Sequence, residues 1–402
     1  MVQLRDKARL VIKGDSQKKG TNYFETFTPV VKIITVKCLL TLAVKHGWVV
    51  HQLDANNAFL HGDLHEEVYM KIPLGLTVGP SSSDPHLACK LKKFLYGLKQ
   101  ASRQWCAKLS QSLLSRGYSP SKNDSALFTK ITVSSIVILV VYVADILLAG
   151  DNGQEIAHLK AFLDQQFKIK DLGSIHYFLG LEVSLVECGY VVHQHKYTTD
   201  LLSEFHCLDT KPVTTPLDPQ NKLHIDSGDP ISDPSTYKSL IGKLNFFQHT
   251  RPNISFSVQH LSQFLVSPKV PHMLDALHVL RYLANDPTRG ILLSSSSDFT
   301  LKAYSDSDWA ACPISRRSVT GYFVLGDSPV SWKSKKHPTV SLSFDEAEYR
   351  ALRQVVAEVS WLLRLLANMD LSITSPISIF CDSQATMHIA RNPVFHKRTK
   401  HI

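Results

Sequence analysis

A long apolar stretch in the first half of the chain is interrupted by one carboxylate. A β-branched run over 136–141 leads into Tyr142-Val143-Ala144-Asp145, and a second apolar run over 146–148 leads out to Gly150. Short apolar runs that are rich in Val and Ile and bounded by Ser and Gly are typical of buried strands. The pattern therefore predicts a hairpin with its turn next to Asp145.

A membrane helix is the competing interpretation, because the run is almost long enough to cross a bilayer. Asp145 would then lie near the centre of the hydrocarbon, where a lone carboxylate costs about 2.5 kcal/mol or more. No basic residue lies near it in the sequence. The hairpin is favoured and no membrane partner is predicted, but a half-buried Asp then needs a partner group or a metal ion.

Earlier in the chain, the pattern predicts a strand, a helix and a second strand that ends in a carboxylate. Basic and apolar residues alternate over 7–14, helical apolar spacing over 36–45 ends at Gly47, and an apolar strand over 48–54 ends in Asp54. One Asp at the end of a strand is usually a turn former or a helix cap. Asp145 is a second carboxylate at the end of an apolar run, and two such groups brought together form a divalent-metal site.

Basic and aromatic residues interleave between these two carboxylates, in the order CKLKKFLYGLKQASRQW over 89–105. Such interleaving suits phosphates and stacked bases. The alternative is an amphipathic helix with a solvated basic face. Further on, a Pro- and Thr-rich stretch over 212–219 predicts an extended linker, and helical spacing predicts helices over 234–244, 258–264 and 273–283. We assign this middle segment no chemistry.

The last part of the chain presents three more carboxylates on a mixed strand and helix pattern. The predicted strands lie at 299–305, 321–325, 330–333 and 377–381, and a predicted helix runs from a capping box at Ser343 to about Leu366. Asp306 and Asp382 each follow a strand, and Glu348 lies on the helix stripe that faces the core. Each residue alone would be a cap, a turn former or a costly buried charge. Together they predict a hard-cation site at which water attacks a phosphodiester.

Composition restricts the class of protein. The 402 residues are 44% hydrophobic and 20% charged, which predicts two or three globular domains and excludes disordered and fibrous proteins. Lys and Arg number 44 against 35 Asp and Glu, a net charge of +9, so a polyanionic partner and a solvated basic surface are about equally favoured. The seven cysteines are scattered without a C-x-x-C pair, which predicts reduced intracellular thiols. No signal peptide is visible, so the chain is not expected to be secreted.

Several motifs, in a fixed order, carry a family resemblance. The segments KARLVIKG, ETFTPVVK, HQLDANNAFLHGDLHEEVYMK, LYGLKQASRQW, YVAD and FKIKDLGSIHYFLGLEV resemble the reverse transcriptase of copia-type retrotransposons. The resemblance implies an α/β (α+β) fold throughout. It places right-hand polymerase fingers and palm, N-terminally truncated, at 1–205, a thumb or connection-like segment at 206–290, and a ribonuclease H-like mixed αβ domain, C-terminally truncated, at 291–402.

The resemblance also implies roles in a polymerase site. Asp54 and Asp145 would hold the metal ions, Arg9 would contact the incoming triphosphate, and Tyr96 and Gly97 would line the nucleotide pocket. Further contacts to nucleic acid would come from Lys99, Arg103 and the turn Phe178-Leu179-Gly180 at the primer end. The family motif is Tyr-x-Asp-Asp, whereas this chain has alanine at 144. We therefore expect polymerisation by this chain to be severely impaired.

In the implied ribonuclease H domain, Asp306, Glu348 and Asp382 would hold two magnesium ions that cleave RNA in an RNA/DNA hybrid. The family continues to a fourth aspartate and a last helix, which this sequence does not contain, so nuclease activity is an open expectation. Basic residues that could follow the phosphates of the hybrid are Lys333, Lys335, Lys336, Arg391, His396, Lys397 and Arg398. A generic solvated basic face is about equally favoured.

The function that follows is RNA-directed DNA synthesis with degradation of the hybrid strand. It requires Mg²⁺, two ions per active site, with deoxynucleoside triphosphates as substrate and an RNA or DNA template with its primer. The expected partners are the other Pol and Gag products of the element, with an oligomer left open, in a cytoplasmic virus-like particle or in the nucleus. One alternative is a non-catalytic nucleic-acid-binding remnant, and another is an untranslated pseudogene that never folds.

Overall fold

Contacts along the chain define two compact units in the computed structural model, which describes residues 10–73, 75–76, 87–218, 220–221 and 223–392. The first unit comprises residues 1–36, 49–175 and 368–370. The second comprises residues 37–48, 176–367 and 371–402. Residues 176–205, which the resemblance assigns to the polymerase segment, fall in the second unit, and the three-segment division itself stays a prediction.

The first unit is built on an antiparallel sheet. Its described helices are α1 (Ile33–His46, divided between the units after Val36), α2 (Ala101–Ser115) and α3 (Gly153–Phe167). Its described strands are β1 (His51–Ala55), β2 (Tyr69–Lys71), β3 (Ala88–Lys90), β4 (Ser119–Pro120), β5 (Leu127–Ile131), β6 (Ile136–Tyr142), β7 (Asp145–Gly150) and β8 (Ile169–Ser174). Six of them pair in the order β4-β5-β6-β7-β1-β8, and β2 pairs with β3.

The long apolar run folds as the predicted hairpin. β6 and β7 pair from Val137 opposite Gly150 to Tyr142 opposite Asp145, and residues 143 and 144 form the turn between them. Alternate side chains of the two strands pack with α2 and α3 in one hydrophobic core. The helix predicted over 36–45 is confirmed as part of α1, and Gly47 follows it with a φ of +68°, a conformation that glycine adopts at little cost.

The second unit combines helices with two four-stranded sheets. Its described helices are α4 (His195–Glu204), α5 (Pro234–Phe247), α6 (Ser255–Leu261), α7 (Val270–Ala284), α8 (Phe344–Asn368) and α9 (Gln384–Arg391). Its described strands are β9 (Tyr177–Phe178), β10 (Leu181–Val186), β11 (Gly189–His193), β12 (Ile291–Ser294), β13 (Lys302–Asp308), β14 (Val319–Leu325), β15 (Pro329–Lys336) and β16 (Ser378–Phe380). Short 3-10 helices lie at Pro252–Ile254 and Ser262–Phe264 in this unit, and at Gly14–Ser16 and Ala58–His61 in the first unit.

The strands of the second unit form sheets in the orders β12-β11-β10-β9 and β15-β14-β13-β16. All pairs are antiparallel except β13 with β16, which run parallel. The helices predicted in the middle segment are confirmed as α5, α6 with the 3-10 turn after it, and α7. Their apolar stripes share a core with α4.

Several details of the predicted elements are wrong. In the strand predicted over 7–14, the described residues make only an isolated bridge between Val11 and Tyr96. The strand predicted over 299–305 begins at Lys302, because the carboxylate of Asp298 accepts a hydrogen bond from the Thr300 amide at 2.8 Å and closes a turn there. In the capping box, Ser343 caps Glu346 as expected, but the carboxylate of Glu346 accepts from the amide of Leu342 rather than that of Ser343.

Within the described ranges, no helix is both long enough and apolar enough to span a membrane. All seven cysteines are free thiols, as the scattered spacing predicted. Cys38, Cys106, Cys207 and Cys312 are buried, whereas Cys188 is exposed.

Candidate metal centres

The first carboxylate pair consists of Asp54 and Asp145, which lie directly opposite each other on β1 and β7. The amide of Ala55 donates to the carbonyl of Ala144 at 2.9 Å, so residues 55 and 144 form a hydrogen-bonded position of the ladder. The neighbouring position, Asp54 with Asp145, is then a non-hydrogen-bonded one, where side chains approach most closely, about 4.5–5.5 Å between Cβ atoms. Both carboxylates therefore point to the same face of the sheet.

The turn between Tyr142 and Asp145 is held in place from two sides. Val143 has a φ of +53°, which is unusual for a β-branched residue. Its carbonyl accepts a hydrogen bond of 2.7 Å from the indole Nε1 of the buried Trp105. Ala144 is half-buried and its methyl group packs against the hydrophobic core of the first unit. The turn is thus fixed, with a methyl group where the family motif has its first aspartate.

The electrostatics of the first carboxylate pair favour a bound cation. The pKa of Asp145 is raised above its usual value, first by burial and then by the charge of Asp54. Both causes oppose ionisation of the carboxyl group, and a divalent cation between the two groups would counter them. Carboxylate oxygens on a half-buried sheet face are the donors that Mg²⁺ prefers, so these two residues fit one such ion.

The loop at Tyr96 and Gly97 lies against the N-terminal segment of the first unit. The amide of Ile12 donates to the carbonyl of Tyr96 at 2.8 Å, and the Tyr96 ring is 4.5 Å from that of Phe59. Gly97 has a φ of +98°, and a Cβ atom there would lie 1.9 Å from the carbonyl oxygen of Ile12. Only glycine fits at this position. Arg9, the predicted triphosphate contact, lies outside the described residues.

Lys99 and Arg103 lie beside the start of α2 and are both exposed. The Lys99 ammonium donates to the carbonyl of Gln17 at 3.1 Å, and the Arg103 guanidinium donates to that of Phe27 at 3.2 Å. Both side chains therefore hold the segment over 17–27 against α2. The predicted contacts of Lys99 and Arg103 with nucleic acid would use the N–H donors that are not bonded to these two carbonyls.

The predicted primer-end turn belongs to the second unit. Leu179 and Gly180 connect β9 to β10 with φ values of +53° and +76°, as in a tight two-residue hairpin. A Cβ atom at Gly180 would lie 2.7 Å from the ring of Phe246. Phe178 is buried, with 1% of its surface exposed. A nucleic acid could therefore meet the backbone of this turn but not the Phe178 ring.

The second carboxylate cluster consists of Asp306, Glu348 and Asp382, and the structure brings all three together. The parallel pairing of β13 with β16 ends with Tyr304 opposite Phe380, and two residues further along each chain lie Asp306 and Asp382. Adjacent parallel strands thus deliver both carboxylates at the same edge of the sheet. Asp306 lies inside β13, which continues to Asp308, and not at the strand end as predicted.

Glu348 completes the cluster from helix α8. Its side chain is fully buried, and its carboxylate accepts hydrogen bonds from the Ser307 amide at 2.9 Å and from the Cys381 thiol at 3.7 Å. Burial raises its pKa to about 7, and the charges of Asp306 and Asp382 act in the same direction. A buried carboxylate facing two others fits a hard divalent cation.

A cleft of about 700 Å³ opens beside this cluster. It is lined by Asp306 and Asp382, by Lys333 of β15, and by aromatic side chains, among which the Tyr304 and Phe380 rings stack at 5.0 Å. Lys335 is exposed one pleat further along β15. His396, Lys397 and Arg398 lie outside the described residues.

Sequence reasoning missed two members of this site. Asp308 lines the same cleft, and its pKa is raised by burial and by Asp306. Its position two residues after Asp306 on a strand is a signal that could have found it, because both side chains then share one face. The ligand atoms of Cys381, Glu348 and Asp382 lie within 4.8 Å of one another, and no spacing rule would have indicated that thiol.

The buried Glu348 predicts a pH-dependent stability difference. Below a pH of about 4.5 its carboxyl group is protonated in the folded and the unfolded chain, so burial carries no penalty. Between a pH of about 4.5 and a pH of about 7, this carboxyl group is ionised only in the unfolded chain. The resulting loss of folding stability grows with pH over this range and stays constant above a pH of about 7. In metal-free buffer we expect Glu348→Gln to be more stable than the parent by about 1–3 kcal/mol at pH 8 and equally stable at pH 4.5.

Urea unfolding of the two chains at both pH values measures this difference. Glu187→Gln, an exposed position in the turn between β10 and β11, is the matched control and should leave stability unchanged at both. A stability gain for Glu348→Gln that is the same at pH 4.5 and pH 8 would contradict the assignment of a raised pKa.

Comparison with known proteins identifies a matching family model and several similar sequences. Residues 1–219 match the family model described as reverse transcriptase (RNA-dependent DNA polymerase). The chain is 42% identical over 399 residues to the retrovirus-related Pol polyprotein from transposon RE1 of Arabidopsis thaliana, and 41% identical to that from transposon RE2 of the same plant. It is 38% identical over a 412-residue alignment to the corresponding polyprotein from transposon TNT 1-94 of Nicotiana tabacum. The alignments cover 99% of this chain but only 27–30% of those polyproteins.

Proposed function

The chain belongs to the reverse transcriptase family and is a reverse transcriptase region of a copia-type retrotransposon Pol polyprotein, and from that premise we propose that it carries two sites for phosphoryl transfer. The first carboxylate pair is a polymerase site, and the second carboxylate cluster is a ribonuclease H site. The observation that carries this proposal is the convergence of each carboxylate set from separate elements, with a raised pKa at Asp145 and at Glu348.

At the polymerase site, Asp54 and Asp145 are the ligands for Mg²⁺. The bound metal would supply charge neutralisation for an in-line displacement of pyrophosphate by the primer 3′ hydroxyl. The loop at Tyr96 and Gly97 is proposed to line the pocket for the incoming deoxynucleotide. Gly97 allows the backbone of this loop to lie close to the N-terminal segment. Arg9 is proposed as the triphosphate contact, and the turn Leu179-Gly180 as a backbone contact to the primer.

We expect polymerisation to be impaired in this chain because its site has two carboxylates, whereas Asp54 together with the family's Tyr-x-Asp-Asp motif would give three. The methyl group of Ala144 cannot bind a cation, and Asp145 already has its own place opposite Asp54. A site with a single pair of carboxylates fits one ion better than two. The stabilisation of transition-state charge by a second metal ion, worth several kcal/mol, is then missing.

At the ribonuclease H site, Asp306, Glu348 and Asp382 are the ligands for Mg²⁺, and the substrate is the RNA strand of an RNA/DNA hybrid. Glu348 is fully buried, so it would bind the ion from the protein side. The exposed carboxylates of Asp306 and Asp382 would bind it from the cleft. Lys333 lines the same cleft and fits a contact with a hybrid phosphate. Lys335 would contact the next one.

We also propose the setting of these activities, because the chain spans less than a third of the length of the three Pol polyproteins. A Pol region would act with the other Pol and Gag products of its element, as a monomer or an oligomer. The particle in which it works would be cytoplasmic, with later steps in the nucleus.

Hybrid cleavage tests the proposal against its rival, a non-catalytic nucleic-acid-binding remnant. The chain is incubated with an RNA/DNA hybrid labelled on the RNA strand, in Mg²⁺ and in Mn²⁺, and with the same RNA alone. We expect cleavage of the RNA only in the hybrid. Retention of the hybrid in a filter-binding assay without any cleavage would favour the remnant.

A further inference from the structure

A thiol lies among the carboxylates of the second cluster. Cys381 follows the last residue of β16, and its Sγ donates to the Oε2 of Glu348 at 3.7 Å. Asp382 is the next residue in the chain. One ligand atom from each of Glu348, Cys381 and Asp382 lies within 4.8 Å of the other two. Such a set of two oxygens and one sulfur differs from the purely oxygen environment that a Mg²⁺ site requires.

We propose that Glu348, Cys381 and Asp382 bind a thiophilic divalent cation such as Zn²⁺, with the Cys381 thiolate as a ligand. The site is regulatory, because its occupant takes two of the three carboxylates assigned to the nuclease and thereby excludes Mg²⁺. That effect on activity rests on the proposed ribonuclease H function, whereas the binding itself does not.

The distance between the sulfur and the carboxylate oxygen fits a tetrahedral ion. Zinc binds sulfur at about 2.3 Å and carboxylate oxygen at about 2.1 Å, so tetrahedral angles place the two ligand atoms about 3.6 Å apart. The observed separation of 3.7 Å between the Cys381 sulfur and the Glu348 oxygen is close to this value. An octahedral Mg²⁺ ion would need oxygen ligands about 3.0 Å apart and gains little from sulfur.

Burial keeps this geometry in place. Glu348 is fully buried on α8 and is held by the Ser307 amide, so it cannot swing away from the thiol. Asp382 is exposed and Cys381 is half-buried, which leaves a route by which an ion and its fourth ligand, a water molecule, can enter from the cleft. The thiol proton leaves to solvent when the ion binds, as in other zinc–cysteine sites.

Cobalt absorption tests the site without relying on activity. The full chain is titrated with Co²⁺, whose thiolate complexes show a sulfur-to-cobalt charge-transfer band in the near ultraviolet. We expect one equivalent to produce the band, Cys381→Ser to abolish it, and Zn²⁺ to displace the cobalt. Cys188→Ser, at an exposed cysteine of the same unit outside the cluster, is the matched control and should keep the band. Circular dichroism melting confirms that both variants fold.

Two results would overturn the proposal: no band at one equivalent of Co²⁺, or a band that persists in Cys381→Ser. Competition with a chromogenic chelator should show Zn²⁺ affinity at least about 100-fold weaker in Cys381→Ser, because even the loss of an outer hydrogen-bond partner typically costs 10–100-fold. If the band appears but no hybrid is cleaved, the metal site stands and the nuclease function fails. If hybrid is cleaved but no band appears, the nuclease stands and the zinc site fails.

Discussion

The variant Ala144→Asp is expected to extend primers about 1,000-fold faster than the parent chain. The substitution would restore the aspartate that the family motif has next to Asp145 in the chain. Several kcal/mol of metal-assisted charge stabilisation correspond to about three factors of ten in rate, at 1.36 kcal/mol for each factor. The backbone is already in place, because Trp105 holds the carbonyl of Val143 and Ala55 donates to that of Ala144.

The measurement is incorporation of labelled thymidine nucleotide on poly-rA with an oligo-dT primer, in Mg²⁺ and in Mn²⁺. Ala144→Asn is the matched control, because it adds nearly the same volume without a charge, and we expect it to remain as inactive as the parent. Asp54→Asn in the Ala144→Asp background should remove the gain. Equal extension by the parent and by Ala144→Asp would show that the missing aspartate is not essential here.

A cost in stability should accompany this gain. Position 144 is half-buried against the hydrophobic core, and Asp145 already has a pKa raised by burial and by Asp54. A third carboxylate adds to that repulsion when no cation is bound. Mg²⁺ should therefore stabilise Ala144→Asp more than it stabilises the parent, which thermal unfolding with and without the ion measures in the same samples.

The hairpin at Asp145 could be predicted from the sequence, because an apolar run with a polar interruption has few other ways to fold. The partner of Asp145 could not be derived from the pattern. Its pairing with Asp54 depends on the register of β1 against β7, and a slip of one residue would have sent the two carboxylates to opposite faces. The pattern could only suggest that two carboxylates at the ends of apolar runs form a metal site, and the register places them opposite each other.

The second carboxylate cluster shows the same limit of sequence patterns. Helical periodicity placed Glu348 on the buried stripe of α8, and that position is confirmed. Periodicity did not predict the start of β13 correctly. The Asp298 carboxylate closes a turn with the Thr300 amide, so the strand begins only after this turn. The sequence predicts Cys381 only as one of seven reduced thiols, because its contact with Glu348 joins residues 33 positions apart in the chain.

The sequence also did not predict that Ile12 lies close to the loop at Gly97. A glycine after a tyrosine in a basic segment predicts a turn, but it does not say which backbone comes near. The structure shows that the space for a Cβ atom is filled by the carbonyl of Ile12. The described part of the segment predicted as a strand, residues 10–14, is thus tied to this loop through single contacts, and not through a ladder of hydrogen bonds.

The variant Asp306→Asn is expected to lower hybrid cleavage by about 1,000-fold. Asparagine keeps the size and one oxygen but removes the charge from one of three converging carboxylates, so a bound divalent cation loses a ligand charge worth several kcal/mol. The pKa of Glu348 should fall as well, because Asp306 is one of the charges that raise it. Rates of RNA release from a labelled hybrid, measured under single-turnover conditions in Mg²⁺, give the ratio directly.

Two further Asp→Asn substitutions test whether the loss of cleavage is specific to Asp306. Asp200→Asn, on the exposed face of α4 in the same unit, should cleave at the parental rate. Asp308→Asn should stay within about tenfold of it, because Asp308 lines the cleft beside Asp306 and acts through charge rather than as a ligand. Loss of cleavage in all three variants would point to damage to the fold. A loss in Asp308→Asn as large as that in Asp306→Asn would instead make Asp308 a fourth ligand, supplied by the same strand.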